Sequence, residues 1–359
     1  MCELLQAATS QLSKFNPQDL ANTAWALATL GHVDAVFMGD LVQAATSQLR
    51  SFNPQNLANT AWALATLGHV DAVFMCELVQ VATPQLCSFK PQELANIAWA
   101  LATLGHVDAG FLGELVQATT LQLRSFTPQG LANTAWALAT LGHVDTGFVA
   151  ELVQAATLQL RGFTPQNLAN MAWAQAVLDE QGTACVGALI ERAAASAMYS
   201  TPLELRQLSQ FTMWLDTWPV ATAVPPRLLS VCKQAWLEQP WLNNPTVSRA
   251  QLQVLDAIRQ LPGCSGSSSE HLTDDGLFSI DIAVQLPGCQ RLVVEVDGPT
   301  HFLSNAPTVP NGATCLRNRL LEARGWRVVG VTVVEWGRQV AKGGQAVHNY
   351  LVARLGVCG

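Results

Sequence analysis

Apolar and polar positions along the first half of the chain repeat with a fixed period of 37 residues. Inside each period, apolar residues lie three and four positions apart, which is the pattern of one face of an α-helix. A period of this length is typical of solenoids, whose repeats bury their apolar faces on their neighbours. Two parallel series of aromatic residues mark the repeat, namely Phe15, Phe52, Phe89, Phe126, Phe163 and Trp25, Trp62, Trp99, Trp136, Trp173.

Each 37-residue unit predicts two helices. In the first unit, Asn16 is a suitable N-cap, Pro17 occupies the first helical position, and Gly31 is a suitable stop. A second helix begins after Asp34 and continues to about Leu49. The repeats therefore predict an α-solenoid of helix-turn-helix units.

The chain starts in the middle of a repeat. Residues 1–12 align with residues 75–86, which belong to the second helix of a unit. We therefore expect that preceding repeats, and any targeting segment, are missing from this chain. The first residues also lack the basic region and apolar core of a signal peptide.

The pattern changes three times along the chain and predicts four segments. The solenoid covers 1–180, with first helices starting near 15, 52, 89, 126 and 163, and an irregular helical region covers 181–262. Gly and Ser dominate 263–270, which is typical of a linker. Residues 271–359 alternate between extended and helical patterns and predict a small α/β domain.

The elements expected outside the repeats follow from amphipathic or alternating stretches. Helices are predicted over 204–215, 225–239, 246–261, 312–325 and 345–356. Strands are predicted over 278–286, 291–298 and 326–336.

The C-terminal segment carries the motifs SIDIAV (279–284), VVEVDGPTHF (293–302) and LRNRLLEARGWRVV (316–329). In this order and spacing they resemble the RAP domain of organellar RNA-associated proteins. The repeats, with their Trp-Ala-Leu-Ala-x-Leu-Gly core, resemble octotricopeptide or heptatricopeptide repeats. The combined resemblance implies an organellar RNA-binding factor of the chloroplast or mitochondrion, which acts in RNA processing, stability or translation.

Comparison of the copies with each other isolates three columns that vary along the first helix. Because they lie three and four residues apart, they share one face, and we predict that this face contacts the bases of single-stranded RNA. The alternative is that these positions are exposed and free of packing constraint, with Asn16 and its equivalents acting only as caps. Asn22, which is the same in every copy, is expected to hydrogen-bond between repeats. The predicted RNA contacts are Asn16, Asp19, Thr23, Asn53, Asn56, Thr60, Lys90, Glu93, Thr127, Thr164 and Asn167.

The charge of the repeats opposes nucleic-acid binding. Residues 1–180 contain five Lys/Arg and thirteen Asp/Glu, a net charge of −8, whereas affinity for nucleic acids comes largely from phosphate neutralisation. Arg50, Arg124 and Arg161 share a helix-end position and predict a ladder of phosphate contacts. The acidic balance favours a second hypothesis, a protein–protein scaffold. The expected partners are therefore single-stranded RNA and other organellar proteins, and no membrane, because no apolar run is long enough to span one.

The α/β domain also resembles PD-(D/E)XK nucleases of the very-short-patch-repair type. Those enzymes place an Asp on one strand and Glu-x-Lys on the next, where the carboxylates hold Mg²⁺. Asp281 and Glu295 match these positions, Asp297 replaces the lysine, and His301 is a candidate acid or base.

The alternative is a domain that kept the fold, lost the chemistry and binds RNA through Arg317 and Arg319. Trp326 and Trp336 are either stacking or core residues. We expect this non-enzymatic role, without cofactor or metal. A Mg²⁺-dependent endoribonuclease guided by the solenoid is the competing hypothesis.

Overall fold

The computed structural model describes residues 2–180, 183–218, 223–243, 247–264, 266–286 and 291–357. These residues form two compact units. The first unit comprises Met1–Ser200 and Leu303–Gly312, and the second comprises Thr201–Phe302 and Ala313–Gly359. No helix within the described ranges is long and apolar enough to cross a membrane.

The first unit is a stack of paired helices, as the repeats predict. Even numbers are the first helices of the repeats and odd numbers the second helices. Short 3₁₀ turns, such as Leu49–Ser51, lead from each second helix into the next repeat. The helices are α1 (Cys2–Thr9), α2 (Pro17–Thr29), α3 (Ala35–Gln48), α4 (Pro54–Thr66), α5 (Ala72–Ala82), α6 (Pro91–Leu104), α7 (Ala109–Thr120), α8 (Pro128–Leu141), α9 (Thr146–Gln159), α10 (Pro165–Leu178) and α11 (Thr183–Ser196).

Local signals fix the ends of these helices. In the second repeat, the side chain of Asn53 accepts a hydrogen bond from the Asn56 N–H at 2.9 Å, and Asp71 caps α5 in the same way. Gly68 adopts φ +65° after α4, and the His69 N–H donates back to the Leu64 carbonyl at 2.9 Å. This is the glycine-based helix stop expected from the sequence. The repeated histidine therefore serves the turn through its backbone.

The core of the first unit lies between the helices of adjacent repeats. Each first helix packs mainly against the first helices before and after it. Leu57 and Leu64 of α4 are fully buried, and Phe74 and Leu78 of α5 are buried beside them. The same columns are buried in the other repeats, so one packing scheme recurs along the stack.

The segment Leu303–Gly312 belongs to the first unit although it is distant in sequence. The Ser304 N–H donates to the Gly105 carbonyl at 2.8 Å. The Asn305 side chain accepts from the Val107 N–H and donates to the Val107 carbonyl, both at 2.8 Å. These bonds attach the segment to the turn between α6 and α7.

The second unit combines helices with a four-stranded sheet. Its strands are ordered β1-β2-β3-β6, with the first two pairs antiparallel and β3 parallel to β6. A two-stranded ribbon, β4 with β5, lies in the connection between β3 and α16. β5 itself lies in the segment Leu303–Gly312, which belongs to the first unit. In chain order, the elements that follow α11 are α12 (Pro202–Leu215), α13 (Pro226–Leu237), α14 (Pro240–Asn243), α15 (Arg249–Arg259), β1 (Ser268–Leu272), β2 (Ser279–Gln285), β3 (Arg291–Asp297), β4 (Phe302–Leu303), β5 (Ala306–Pro310), α16 (Gly312–Glu322), β6 (Arg327–Thr332), α17 (Val333–Lys342) and α18 (Gly344–Leu355).

The two faces of the sheet carry different residues because side chains alternate along a strand. Ile282, Val294 and Val331 face one way and form an apolar core with Ile258 of α15 and Leu351 of α18. The intervening positions on β2 and β3 face the other way. They include the acidic residues of the predicted nuclease-like site.

Several predicted boundaries differ from the structure. The first unit extends to Ser200 instead of ending at 180, so the predicted 181–262 region is divided between the two units. The strand predicted over 326–336 ends at Thr332, whose side chain accepts from the Glu335 N–H at 3.0 Å and caps α17. The end of the predicted 263–270 linker is also ordered, because β1 begins at Ser268 and pairs with β2. Pairing along the sheet edge thus overrides the linker-like composition of that segment.

Candidate nucleic-acid interface

Four side-chain positions line the exposed side of each first helix. In α4 they are Gln55, Asn59, Trp62 and Thr66, spaced four, three and four residues apart, so they share one helix face. Gln55 and Thr66 are exposed, Asn59 and Trp62 are half-buried, and Leu57 on the opposite side is fully buried. We call these positions the tryptophan face. Its other members are Gln18, Asn22, Trp25, Thr29, Gln92, Asn96, Trp99, Thr103, Gln129, Asn133, Trp136, Thr140, Gln166, Asn170 and Trp173.

The amides of the tryptophan face are available for a ligand. Within the described residues, the side chains of Asn59, Asn96 and Asn133 form no hydrogen bond with the protein, although they are half-buried. The same holds for Asn22, so the expected bond between repeats is absent there. None of these four amides has an atom among the described side-chain atoms that are both buried and without a partner, so water can reach their polar atoms. A bound molecule that supplied donors and acceptors would replace this water.

The tryptophans form a row of rings along this face. Trp25 is 46% exposed, and Trp62, Trp99 and Trp136 are half-buried. The rings of Trp136 and Trp173 lie 6.4 Å apart between centroids and are tilted by 36°. Trp173 is only 6% exposed. The open part of the tryptophan face therefore belongs to the first four repeats of the described chain.

Two of the three variable columns are buried from the second repeat onward, so they do not form the predicted readout face. Asn56, Thr60, Glu93 and Asn167 are all buried, whereas Asp19 and Thr23 on α2 are exposed and half-buried. The reason is that these columns point towards the neighbouring first helix. A Cβ added to Gly130, which occupies the second column in α8, would lie 3.8 Å from the Ala95 Cβ of α6.

The remaining variable column consists of N-cap residues, as the alternative hypothesis held. Side-chain oxygens of Asn16, Asn53, Thr127 and Thr164 accept hydrogen bonds from backbone N–H groups three residues later, at 2.9–3.2 Å. Lys90 cannot cap, and Glu93 instead accepts from the Lys90 N–H at 2.8 Å. Capping therefore accounts for Asn and Thr at this column, but not for Lys90.

The predicted cation ladder is exposed. Arg50, Arg124 and Arg161 lie in the 3₁₀ turns that precede α4, α8 and α10, and Lys14 has the same place before α2. All four side chains are exposed, and none forms an ion pair within the described residues. They stand at the N-terminal ends of first helices. Their contact with RNA phosphates stays a prediction.

The second unit brings the predicted nuclease-like residues together on one side of the sheet. Glu295 and Asp297 of β3 are buried, and Asp281 of β2 accepts a hydrogen bond from the Val296 N–H at 2.7 Å. His301 Nδ1 lies 3.1 Å from Asp297 Oδ1. The shared side of 295 and 297 agrees with strand alternation.

Arg317 of α16 occupies the centre of this acidic group. Its guanidinium donates to both oxygens of Glu295 at 2.9–3.2 Å and to the Ser279 carbonyl at 2.7 Å. Its side chain is only 21% exposed. This corrects the expectation of an exposed phosphate contact at Arg317. Arg319, which is half-buried on the same helix, stays a candidate.

Burial and charge perturb the protonation of these groups. Burial, assisted by the Glu295 charge, raises the pKa of Asp281 to about 7. Burial also raises the pKa of Asp297, and the neighbouring His301 opposes that change. Burial alone would lower the pKa of Arg317, but the charge of Glu295 raises it above its ordinary value. Arg317 therefore stays a cation beside these carboxyl groups.

Comparison with known families agrees with both units. A family model described as the Tbc2 translation factor, N-terminal domain, matches residues 1–104 and 65–180, which together cover half of the chain. A second model, the RAP domain, matches residues 294–351. The chain belongs to the Tbc2-type helical-repeat proteins with a RAP domain. This membership assigns it an RNA-related function.

The RAP match contains Glu295, Asp297, His301 and Arg317, while Asp281 lies before it. A Mg²⁺ site does not fit this arrangement, because the Arg317 guanidinium already neutralises the oxygens of Glu295. Within the described residues, no three His, Cys, Asp or Glu side chains are grouped so that they could hold a metal ion. In the structure Glu295 is paired with Arg317, and Asp297 with His301.

Sequence reasoning missed the tryptophan face as a surface. Its residues are the same in nearly every copy, and residues that pack in the core are also expected to be the same in every copy. A usable signal was present, because Gln55 and Asn59 are amides on a helix whose other side is almost wholly Ala and Leu. Trp326 and Trp336 are buried, so they are core residues of the second unit.

Proposed function

We propose that this protein binds single-stranded RNA along the tryptophan face. The observation that carries the proposal is the repeated set of a tryptophan ring and two amides on successive first helices, at Trp62, Asn59 and Gln55 in α4. Aromatic rings bind unstacked bases, and amides hydrogen-bond base edges. The face offers both in each open repeat.

The position of the cations supports the same proposal. Arg50, Arg124 and Arg161 lie at the ends of the helices that carry the tryptophan face, so a strand stacked on the rings has cations beside it. Three or four phosphate contacts contribute modestly to affinity. Stacking and amide contacts would supply most of the binding free energy in this otherwise acidic unit.

Binding by the full chain to a fluorescent ten-nucleotide RNA of mixed sequence, followed by anisotropy, tests this function. Gln92→Ala combined with Trp99→Ala removes part of the face in the third repeat. We expect at least a fivefold loss of affinity, because stacking on one aromatic residue contributes about 1–3 kcal/mol.

A matched control removes apolar side chains elsewhere on the same unit. Val36 and Val73 are 77% and 69% exposed on the second helices, so Val36→Ala with Val73→Ala leaves the tryptophan face intact. We expect unchanged RNA affinity for this control. Equal affinities of the two double variants, with the same thermal unfolding midpoint, would contradict the proposal. The Gln92 side chain is exposed, so Gln92→Ala alone should not disturb folding. A loss of RNA affinity by this single variant therefore cannot be attributed to misfolding.

The biological setting is part of the proposal. The matched family is described as a translation factor, and the resemblance to octotricopeptide-type repeats supports a role in a chloroplast or mitochondrion. Translation, processing or stabilisation of an organellar transcript all require a factor that holds single-stranded RNA. We propose a binding role for the RAP domain as well, without RNA cleavage, because Glu295, one of the nuclease-like carboxylates, is paired with Arg317.

A protein–protein scaffold is the second candidate. It is favoured by the net charge of −8 in residues 1–180 and by exposed valines near the turns, including Val33 at 66% and Val70 at 63%. For a scaffold, the valine control would reduce partner binding and the tryptophan-face variant would not. The same two variants therefore separate the two functions.

A further inference from the structure

The turns between the two helices of the first three repeats are identical in sequence. Residues 29–35, 66–72 and 103–109 all read TLGHVDA. Their glycines adopt φ +61°, +65° and +64°, and in each turn the following histidine N–H donates to a leucine carbonyl at 2.9–3.0 Å. The three turns therefore present the same backbone groups in the same conformation.

The turn of the third repeat is occupied by a β-hairpin of the chain itself. Ser304 and Asn305 form the two-residue turn between β4 and β5. The Ser304 N–H donates to the Gly105 carbonyl at 2.8 Å, and its hydroxyl donates to the Leu104 carbonyl at 2.6 Å. The Asn305 carboxamide bonds both backbone groups of Val107 at 2.8 Å. Four hydrogen bonds to backbone groups thus hold the hairpin tip on this turn.

The close approach of the hairpin requires glycine at position 105. A Cβ added to Gly105 would lie 3.0 Å from the Ser304 nitrogen, closer than side chains ordinarily come. No described atom lies within 4 Å of a Cβ added to Gly31 or Gly68. The space that the hairpin tip fills in the third repeat is therefore open in the first two.

The first two turns keep the same backbone groups without a partner. Within the described residues, the carbonyl groups of Gly31 and Gly68 accept no hydrogen bond. In the same part of the chain, the backbone groups of Val33 and Val70 form none either. Both valines are exposed, whereas Val107, which is bonded to the hairpin, is half-buried. A second hairpin tip would find at each of these turns the groups that the first one uses.

We propose that the turns after α2 and α4 are docking sites for a partner protein, which inserts a β-hairpin with Ser-Asn at its tip. The occupant of the third turn defines this chemistry. A hydroxyl and a backbone N–H supply donors for two carbonyls, and one carboxamide supplies both a donor and an acceptor. Each copy of this chain holds its own hairpin on its third turn, so a different protein must supply the others. The turns lie at the C-terminal ends of the first helices, whereas the exposed cations lie at the N-terminal ends.

A cyclic peptide tests the proposal with the full chain. Residues 302–307 (FLSNAP), joined head to tail, keep Ser-Asn in a tight turn, because Pro favours a second turn on the opposite side of the ring. NMR of the protein with isotope-labelled valine amides follows the titration, and Val33→Ala and Val70→Ala assign the two signals by removing them. We expect both signals to shift with a dissociation constant of about 1 mM or tighter. The Val107 signal should not move, because its groups are already bonded.

Gly68→Asn is the matched variant, because it changes one of two equal turns. Asn tolerates the left-handed backbone of a helix stop, and its side chain would fill the space at the hairpin tip. We expect the Val70 signal to stop responding, while Val33 in the same molecule responds as before. The same ring with Ala in place of Asn should bind about tenfold more weakly or worse, because it lacks two hydrogen bonds.

Three results would overturn the proposal. They are unchanged Val33 and Val70 signals at about 5 mM peptide, equal shifts with the Ala ring, and a Val70 shift that persists in Gly68→Asn. A dimer in sedimentation that Gly31→Asn with Gly68→Asn abolishes would identify a second copy of this chain as the occupant, against the assignment to a different protein. RNA binding is tested separately with the tryptophan-face variant, so its failure and the failure of this proposal are distinguishable.

Discussion

The buried pair between Arg317 and Glu295 ties helix α16 to strand β3. Three donor–acceptor contacts at 2.9–3.2 Å join the two side chains, and Arg317 also holds the Ser279 carbonyl. Removal of one member of such a pair leaves the other buried and charged, whereas replacement of both by apolar residues is often neutral. Loss of one partner should therefore reduce stability much more than replacement of both partners.

We expect Arg317→Met to destabilise the second unit by about 3–5 kcal/mol, and Arg317→Met with Glu295→Met to recover most of that loss. Urea unfolding followed by circular dichroism measures both. The exposed pair between Arg259 and Asp256 is the control, and Arg259→Met should cost about 1 kcal/mol or less. A loss of RNA affinity by Arg317→Met at unchanged stability would instead make Arg317 a ligand contact.

Asp281 predicts an unusual pH dependence of stability. In the folded protein burial raises its pKa to about 7, while the pKa of an unperturbed Asp is 3.8. Between these values the folded state holds a proton that the unfolded state has released, so this residue's contribution falls as pH rises from about 4 to 7.

The Asp281→Asn variant keeps an acceptor for the Val296 N–H and removes the charge. We expect it to raise the unfolding midpoint by a few degrees at pH 8 and to have little effect at pH 4, since about 1 kcal/mol shifts the midpoint by roughly 2–4 °C in proteins of this size. Thermal melts at both pH values check this. Asp256→Asn, at a mostly exposed side chain, should show no such difference.

At the scale of elements, the repeats differ in how their first helices begin. The α4 helix has Asn53 as its cap, whereas α6 begins after Lys90, which has no side-chain acceptor. Glu93 already accepts from the Lys90 N–H. An Asn at position 90 would therefore complete a reciprocal cap.

We expect Lys90→Asn to stabilise the first unit by about 0.5–1 kcal/mol, and Asn53→Ala to destabilise it by about the same amount. Chemical unfolding of both variants provides the comparison. Lys90→Ala is the control, because it removes the charge without adding a cap. If Lys90→Asn and Lys90→Ala have the same stability, the reciprocal cap does not form.

The helices of the repeats could be predicted because their caps, prolines and glycines agree with the apolar period. The end of β6 could not, because Val331 to Val334 have high strand propensity. The competing signal was Thr332 with Glu335 three residues later, a pattern that begins helices. In the structure the cap determines the outcome, and Val333 begins α17.

The site was harder to predict than the fold. Periodicity places Asp19, Thr23 and their equivalents on one face, but it does not say which face the next repeat will cover. Asn56 and Thr60 are buried for that reason. Strand alternation placed Glu295 and Asp297 on one side of the sheet. The pairing of Glu295 with Arg317 could not be predicted, because it depends on a tertiary contact between α16 and β3.

At the scale of the whole molecule, few cations are available for phosphates. The first unit has four exposed cations in its 3₁₀ turns. Residues 1–180 are acidic overall, so stacking should dominate RNA affinity. For single strands, each neutralised phosphate contributes about −0.7 to the slope of log affinity against log salt. Three or four contacts therefore predict a slope of roughly −2 to −3.

Substitution of Arg50, Arg124 and Arg161 by Ala should reduce the magnitude of that slope by about 2. Trp99→Ala should weaken RNA binding at every salt concentration and leave the slope unchanged. Anisotropy titrations between about 50 and 300 mM salt check both expectations. A steep slope that the arginine substitutions do not alter would place the phosphate contacts elsewhere.

Three junctions between repeats consist of the same two residues. Ser51 precedes Phe52, Ser88 precedes Phe89, and Ser125 precedes Phe126. Excision of residues 52–88 would connect Ser51 to Phe89 and recreate a junction that the chain already contains. Recombination between near-identical gene segments could therefore change the copy number of units without a new packing problem. The length of nucleic acid that such a protein spans would then evolve in single steps.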